Sequence, residues 1–96
     1  PPPSPAAALP AKGRPDPAAR RQKLAPLRKE LKDVEREIDA LEREKAALAA
    51  SLADPATFAD PDRAEAAGRE LRAVEERLAR LEERWLELGD AIDALA

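Results

Sequence analysis

Leu52–Arg63 reads LADPATFADPDR, and two Asp-Pro pairs punctuate it, Asp54-Pro55 and Asp60-Pro61. Proline lacks an amide hydrogen and suits only the first turn of a helix, where that hydrogen would be unpaired anyway. An aspartate just before it can accept from the first free N–H groups of the helix that follows. The stretch therefore closes one helix and opens another, with a short turn around Ala56–Phe58. On its N-terminal side Leu24, Leu27, Leu31, Val34, Ile38, Leu41, Lys45, Leu48 and Leu52 recur at alternating steps of three and four. On its C-terminal side Ala64, Ala67, Leu71, Val74, Leu78, Leu81, Trp85, Leu88, Ile92 and Leu95 follow, in heptad register throughout. Such spacing lays one apolar stripe along each helix. Two helices of similar length joined by a short connection pack antiparallel. The sequence thus predicts an all-α fold, a two-helix antiparallel coiled-coil hairpin.

Residues 1–19 hold most of the proline and no apolar period, and read as a flexible Pro/Ala-rich linker, extended and polyproline-like. Residues 20–96 form the hairpin, with one helix over about 26–53, a connection over 54–60 and a second helix over about 61–94. The first helix has two candidate starts, Pro17 with Asp16 as its cap, or Pro26. Regular helix is expected from Leu27, with a kink or a start at Pro26. Fraying is expected beyond Gly89. One register sets Leu31 opposite Leu88, Ile38 opposite Leu81 and Val34 opposite Trp85. It brings Glu37 near Arg84 and Glu44 near Arg77, and on the other flank Glu35 near Glu82.

The chain has 96 residues, of which 39% are charged and 2% aromatic. One Phe and one Trp cannot fill a conventional globular core, whereas Ala, Leu, Glu, Arg and Lys suit long helices. With no His and no Cys, thiol catalysis, thiolate metal sites and His-based triads are excluded. The three glycines are isolated, so there is no phosphate loop. The carboxylates fall at solvated helix positions, without a pocket to tune a catalytic acid and base. Neither a catalytic residue nor a metal site is expected, and no membrane partner. The first residue is Pro, and the segment reads as a domain of a longer protein whose task is to bind, space or position something.

Charge is unevenly spread. Residues 1–32 carry eight Lys and Arg against two Asp and Glu, about +6, and the rest of the chain about −9. Arg20, Arg21, Lys23, Arg28, Lys29 and Lys32 are the candidate contacts to phosphates, through salt-dependent attraction without base readout. Phe58 lies off both heptads. It either folds back to plug the end of the hairpin, the favoured reading, or stands exposed as a tip contact for a base or a protein groove. Trp85 lies on the stripe and is expected in the core. Lys45 interrupts the seam and is expected to lead its ammonium out to water, with Glu42 or Glu44 accepting from it.

The opening APLRKE at Ala25–Glu30, the L-x-D-P-x-x-[FY] turn at Leu52–Phe58, the Asp-Pro-x-Arg start at Asp60–Arg63 and the E-x-x-W-L-E ending at Glu82–Glu87 together resemble the C-terminal extension of ABC-F proteins. These are ATP-binding cassette ATPases with two cassettes in one chain. The resemblance spans about residues 20–95. It implies a two-helix antiparallel coiled coil and no cofactor in this segment. It also implies a parent that binds ATP and Mg and hydrolyses ATP in cassettes elsewhere, with no transmembrane partner. It further implies a cytoplasmic, ribosome-associated role in translation and contact with ribosomal RNA or DNA. Where family members often carry a basic C-terminal arm, the basic residues here lie at the start of the first helix. The domain is expected to be a monomer. Two other readings remain: a protein-interaction or spacer coiled coil, or the tRNA-contacting arm of an aminoacyl-tRNA synthetase such as the valine enzyme.

Overall fold

The computed structural model describes residues 16–96, which form three helices: α1 (Pro17–Ala53), α2 (Pro55–Phe58) and α3 (Pro61–Leu95). The flexible-linker reading of residues 1–19 lies outside the described residues over its first fifteen, and its last three, Pro17–Ala19, are helical instead. The long helices α1 and α3 pack against each other as a hairpin, and α2 forms its tip. At 1.5 Å per residue, α1 is about 55 Å long. Among the described residues no helix is long and apolar enough to cross a membrane.

The core is one row of side chains. Leu24 and Val34 of α1 are buried, as are Val74, Leu78, Leu81 and Leu88 of α3. Val34, Leu81 and Leu88 form its centre, and Leu27, Leu31, Ile38 and Leu41 pack against them. Leu31 and Leu88 thus belong to one packed group, as the heptads predict. Leu88 is the most deeply enclosed side chain, 1% exposed.

The first helix begins at Pro17, not at Pro26, and runs through Pro26 as continuous helix. Asp16 stands at the cap position, where its carbonyl accepts from the Arg20 amide at 2.8 Å, but its side chain makes no capping bond. Pro26 gives no amide hydrogen to the carbonyl one turn back, at Gln22. Both residues are exposed, so water can complete that carbonyl. The buried Leu24 holds the segment to the hairpin on its inner face. At the other end, beyond Gly89 where fraying is expected, α3 is helical to Leu95.

The charged flank is displaced by one heptad from the expected register. Arg77 donates to Glu37, from Nη2 at 2.8 Å and Nε at 3.0 Å. Arg84 donates to Glu30. Glu37 with Arg84 and Glu44 with Arg77 are not the pairs formed. Long guanidinium arms reach along the rod, and exposed pairs contribute only tenths of a kcal/mol, so they follow the seam rather than set it. Lys45 is exposed as anticipated, but neither Glu42 nor Glu44 pairs with it within 4.0 Å.

With a single row of buried side chains there is little beneath Leu88 to refill a void. Leu88→Ala is expected to cost about 2–5 kcal/mol, read as a fall in the chemical-denaturation midpoint followed by circular dichroism.

Candidate functional site

The basic stretch at the start of α1 is helical throughout. At about 100° per residue, Arg21, Arg28, Lys29 and Lys32 fall within about a 100° arc of the helix surface. Lys23 points to the opposite flank. Arg20 lies in line with the seam and is half-buried, whereas the other five are exposed. Among the described residues none of the six forms an ion pair, unlike Arg36, Arg69, Arg77 and Arg84. The stripe from Arg21 to Lys32 is about 16 Å long at 1.5 Å per residue.

One carboxylate, Glu30, lies within that stretch of sequence. It points to the other flank, where Arg84 of α3 holds both its oxygens. Arg84 Nε donates to Oε2 at 2.6 Å and Nη2 to Oε1 at 2.9 Å, while Nη1 donates to Glu87 at 3.1 Å. The Arg84 hydrogen bond holds the Glu30 carboxyl below the usual carboxylate range, and the two carboxylates push the guanidinium's own proton affinity up. Glu30 therefore stays ionised and engaged with α3, on the flank away from Arg21, Arg28, Lys29 and Lys32. Spacing alone did not show this, because Glu30 precedes Lys32 by two residues and reads as part of a mixed-charge run.

The tip is built from its two aspartates. Asp54 accepts from the Ala56 amide at 2.9 Å, and Asp60 from the Arg63 amide at 3.3 Å, so both Asp-Pro caps act as the sequence predicts. The expected plug is not formed. Thr57 is the residue turned inward, 3% exposed, with its hydroxyl 3.4 Å from that of Ser51. Phe58 points away from the hairpin and is 75% exposed. In a four-residue helix, neighbouring side chains are about 100° apart, so an inward Thr57 turns Phe58 outward. A polar residue gives no apolar signal, and the sequence therefore favoured Phe58 for the inner place.

Trp85 also departs from expectation. It is 41% exposed, not enclosed in the core. Its Nε1 donates to Glu35 of α1 at 3.2 Å. That polar partner draws the indole out over the flank, since a buried indole N–H without an acceptor is costly. Trp85, Glu35, Ile38, Asp39 and Glu82 line an open hollow of about 530 Å³. Glu35 and Glu82, placed near each other by the predicted register, do line it together. No group of His, Cys, Asp and Glu suited to a metal ion occurs among the described residues.

A slender hairpin with capped ends, a basic stripe and a rod-like surface is the shape of a helical accessory domain. Residues 25–90 match the family model of the ABC transporter C-terminal domain. The chain belongs to that family and is an accessory domain of an ABC protein. Such a domain is non-catalytic by itself. No curated protein and no solved structure matches the chain.

Two outcomes follow from this geometry. Glu30 has a lowered pKa in the folded state, so its contribution is present above its unfolded pKa and lost as pH falls through the folded value. Between pH 7 and pH 3 the melting temperature of the wild type should therefore fall further than that of Glu30→Gln, as read by circular dichroism. Phe58→Ala should change unfolding stability by less than about 0.5 kcal/mol, as befits an exposed side chain, where loss of a plug would cost about 3–5 kcal/mol.

Proposed function

We propose that this domain is the C-terminal extension of an ABC-F ATPase, and that it contacts the phosphates of ribosomal RNA or DNA. Arg20, Arg21, Lys23, Arg28, Lys29 and Lys32 make the contacts, with Arg21, Arg28, Lys29 and Lys32 as the principal face. The observation that carries this reading is that Arg21, Arg28, Lys29 and Lys32 share one exposed face of α1 and that none of them forms an ion pair among the described residues. Exposed, unpaired Lys and Arg on a helix attract phosphates and release their counterions, and the attraction weakens steeply with salt. Contacts to phosphates position the nucleic acid and carry no sequence information themselves. In the parent, ATP and Mg act in the cassettes, and the domain supports a cytoplasmic, ribosome-associated role. The four motifs at Ala25–Glu30, Leu52–Phe58, Asp60–Arg63 and Glu82–Glu87 favour the ABC-F branch. Membership of an ABC family favours it over a synthetase arm.

A protein contact at the tip is a second reading, favoured by the exposure of Phe58 on a capped and therefore well-held turn.

The test is electrophoretic mobility of a ribosomal RNA fragment and of a DNA duplex with the 96-residue chain at low salt. The chain should retard one or both, and the retardation should fade as salt is raised. Arg21→Glu together with Arg28→Glu should abolish it without changing the helical circular dichroism. Unchanged mobility with the wild-type chain at the lowest salt would refute the proposal.

A further inference from the structure

The hollow beside Trp85 carries a chemistry opposite to that of the basic stripe. Glu35 and Asp39 come from α1 and Glu82 from α3, and all three are exposed. None of them forms an ion pair within 4.0 Å among the described residues. The fold itself brings these like charges together, because Glu35 and Glu82 lie on different helices and meet only when the hairpin closes. Like charges facing each other destabilise a pair of elements unless a cation stands between them. On the other flank the hairpin supplies its own cations, Arg77 and Arg84. No cation lines the hollow here, and a half-exposed indole and the side chain of Ile38 stand among the carboxylates instead.

An aromatic ring, aliphatic surface and carboxylates form the combination that holds a guanidinium. That group is planar, stacks on aromatic rings and is weakly hydrated, and its N–H fork engages carboxylates. A lysine ammonium is a strongly hydrated point charge and gains less from the indole. A phosphate backbone would be repelled by three carboxylates. The open hollow of about 530 Å³ admits a side chain presented from outside the rod.

We propose that this hollow is a docking site for an arginine-bearing basic segment of a protein partner. The guanidinium lies against Trp85, with Glu82 and Asp39 accepting from it, while Glu35 accepts from the indole N–H and adds its charge. This surface is separate from the basic stripe and does not depend on nucleic-acid binding.

Trp85 is the sole tryptophan and the chain has no tyrosine, so its emission reports this site alone. The chain at low salt is titrated with hexa-arginine amide and, separately, with hexa-lysine amide. A saturable change in emission is expected with hexa-arginine at several-fold lower concentration than with hexa-lysine. Glu35→Gln with Glu82→Gln should weaken hexa-arginine binding about tenfold, as expected for about 1.4 kcal/mol. This double variant keeps an acceptor for the indole and relieves repulsion, so the hairpin should remain folded. Glu70→Gln with Glu76→Gln removes the same charge elsewhere on the rod and should leave the affinity unchanged. The proposal is overturned if hexa-arginine leaves the emission unchanged. It is equally overturned if both double variants lose affinity alike, or if hexa-lysine binds as tightly. An emission that shifts with the chain's own concentration would assign the hollow to a second copy and overturn it as well.

Discussion

Burial of a single aliphatic row between α1 and α3 is the constraint on which the rest of the molecule depends. Among the described residues there is no second layer and no sheet to share the task. Leu88, Leu78, Leu81, Val34, Val74 and Leu24 are the buried apolar side chains among the described residues, and most other positions on both helices face solvent. Helices in water gain most of their stability from such packing, not from intrinsic propensity. Continuity of the seam explains why α1 stays helical through Pro26. Leu24, three residues toward the N-terminus from Leu27, still has a partner surface to cover it, and this favourable burial offsets a locally unfavourable residue.

A one-row core also frees the surface to be specialised by flank. One flank carries Glu30 and Glu37 opposite Arg84 and Arg77, and its charges cancel across the hairpin. The other carries cations near the start of α1, then the hollow of Glu35, Asp39, Glu82 and Trp85. Its charges do not cancel. The same fold thus has an electrically closed side and an open side. Within α1 the open side changes sign between Lys32 and Glu35, less than one helical turn apart, which sets two opposed chemistries side by side on a rigid support.

The sequence made the helices legible because period and punctuation are local properties. The heptads of Leu27–Leu52 and Ala67–Leu95 locate the seam, and the two Asp-Pro pairs locate the caps, since each needs only neighbours a few residues away. What stayed hidden depends on how far long side chains reach across the seam. The heptad offers Glu37 two arginines seven residues apart, Arg77 and Arg84. Glu37 meets Arg77 and not Arg84 for reasons that no local pattern contains. Trp85 and Phe58 mislead for a related reason. Hydrophobicity marks both for the interior, but an acceptor on Glu35 draws the indole outward and an inward Thr57 turns the phenyl ring to water. The cationic residues were identifiable by type and clustering. Their freedom from partners was not, because Asp33 and Glu35 stand one turn from Lys29 and Lys32 and engage Arg36 and the Trp85 indole instead.

Geometry also separates what the two ends of the rod can do. The basic stripe lies at the open end of the hairpin, where α1 begins. The tip lies the length of α1 away, about 55 Å at 1.5 Å per residue. The exposed cations at the open end stand where α1 begins. Phe58 is carried to whatever the rod can reach. Orientation is the property that a stiff hairpin adds to such contacts: two attachments at the ends of a flexible tether fix only a maximum distance, whereas two on one rod fix a direction. Removing the seam would therefore abolish the directional relation between the stripe and the tip even if every cation and Phe58 stayed in place. The buried row, which touches no partner, is in this sense the part of the domain that gives its exposed groups their meaning.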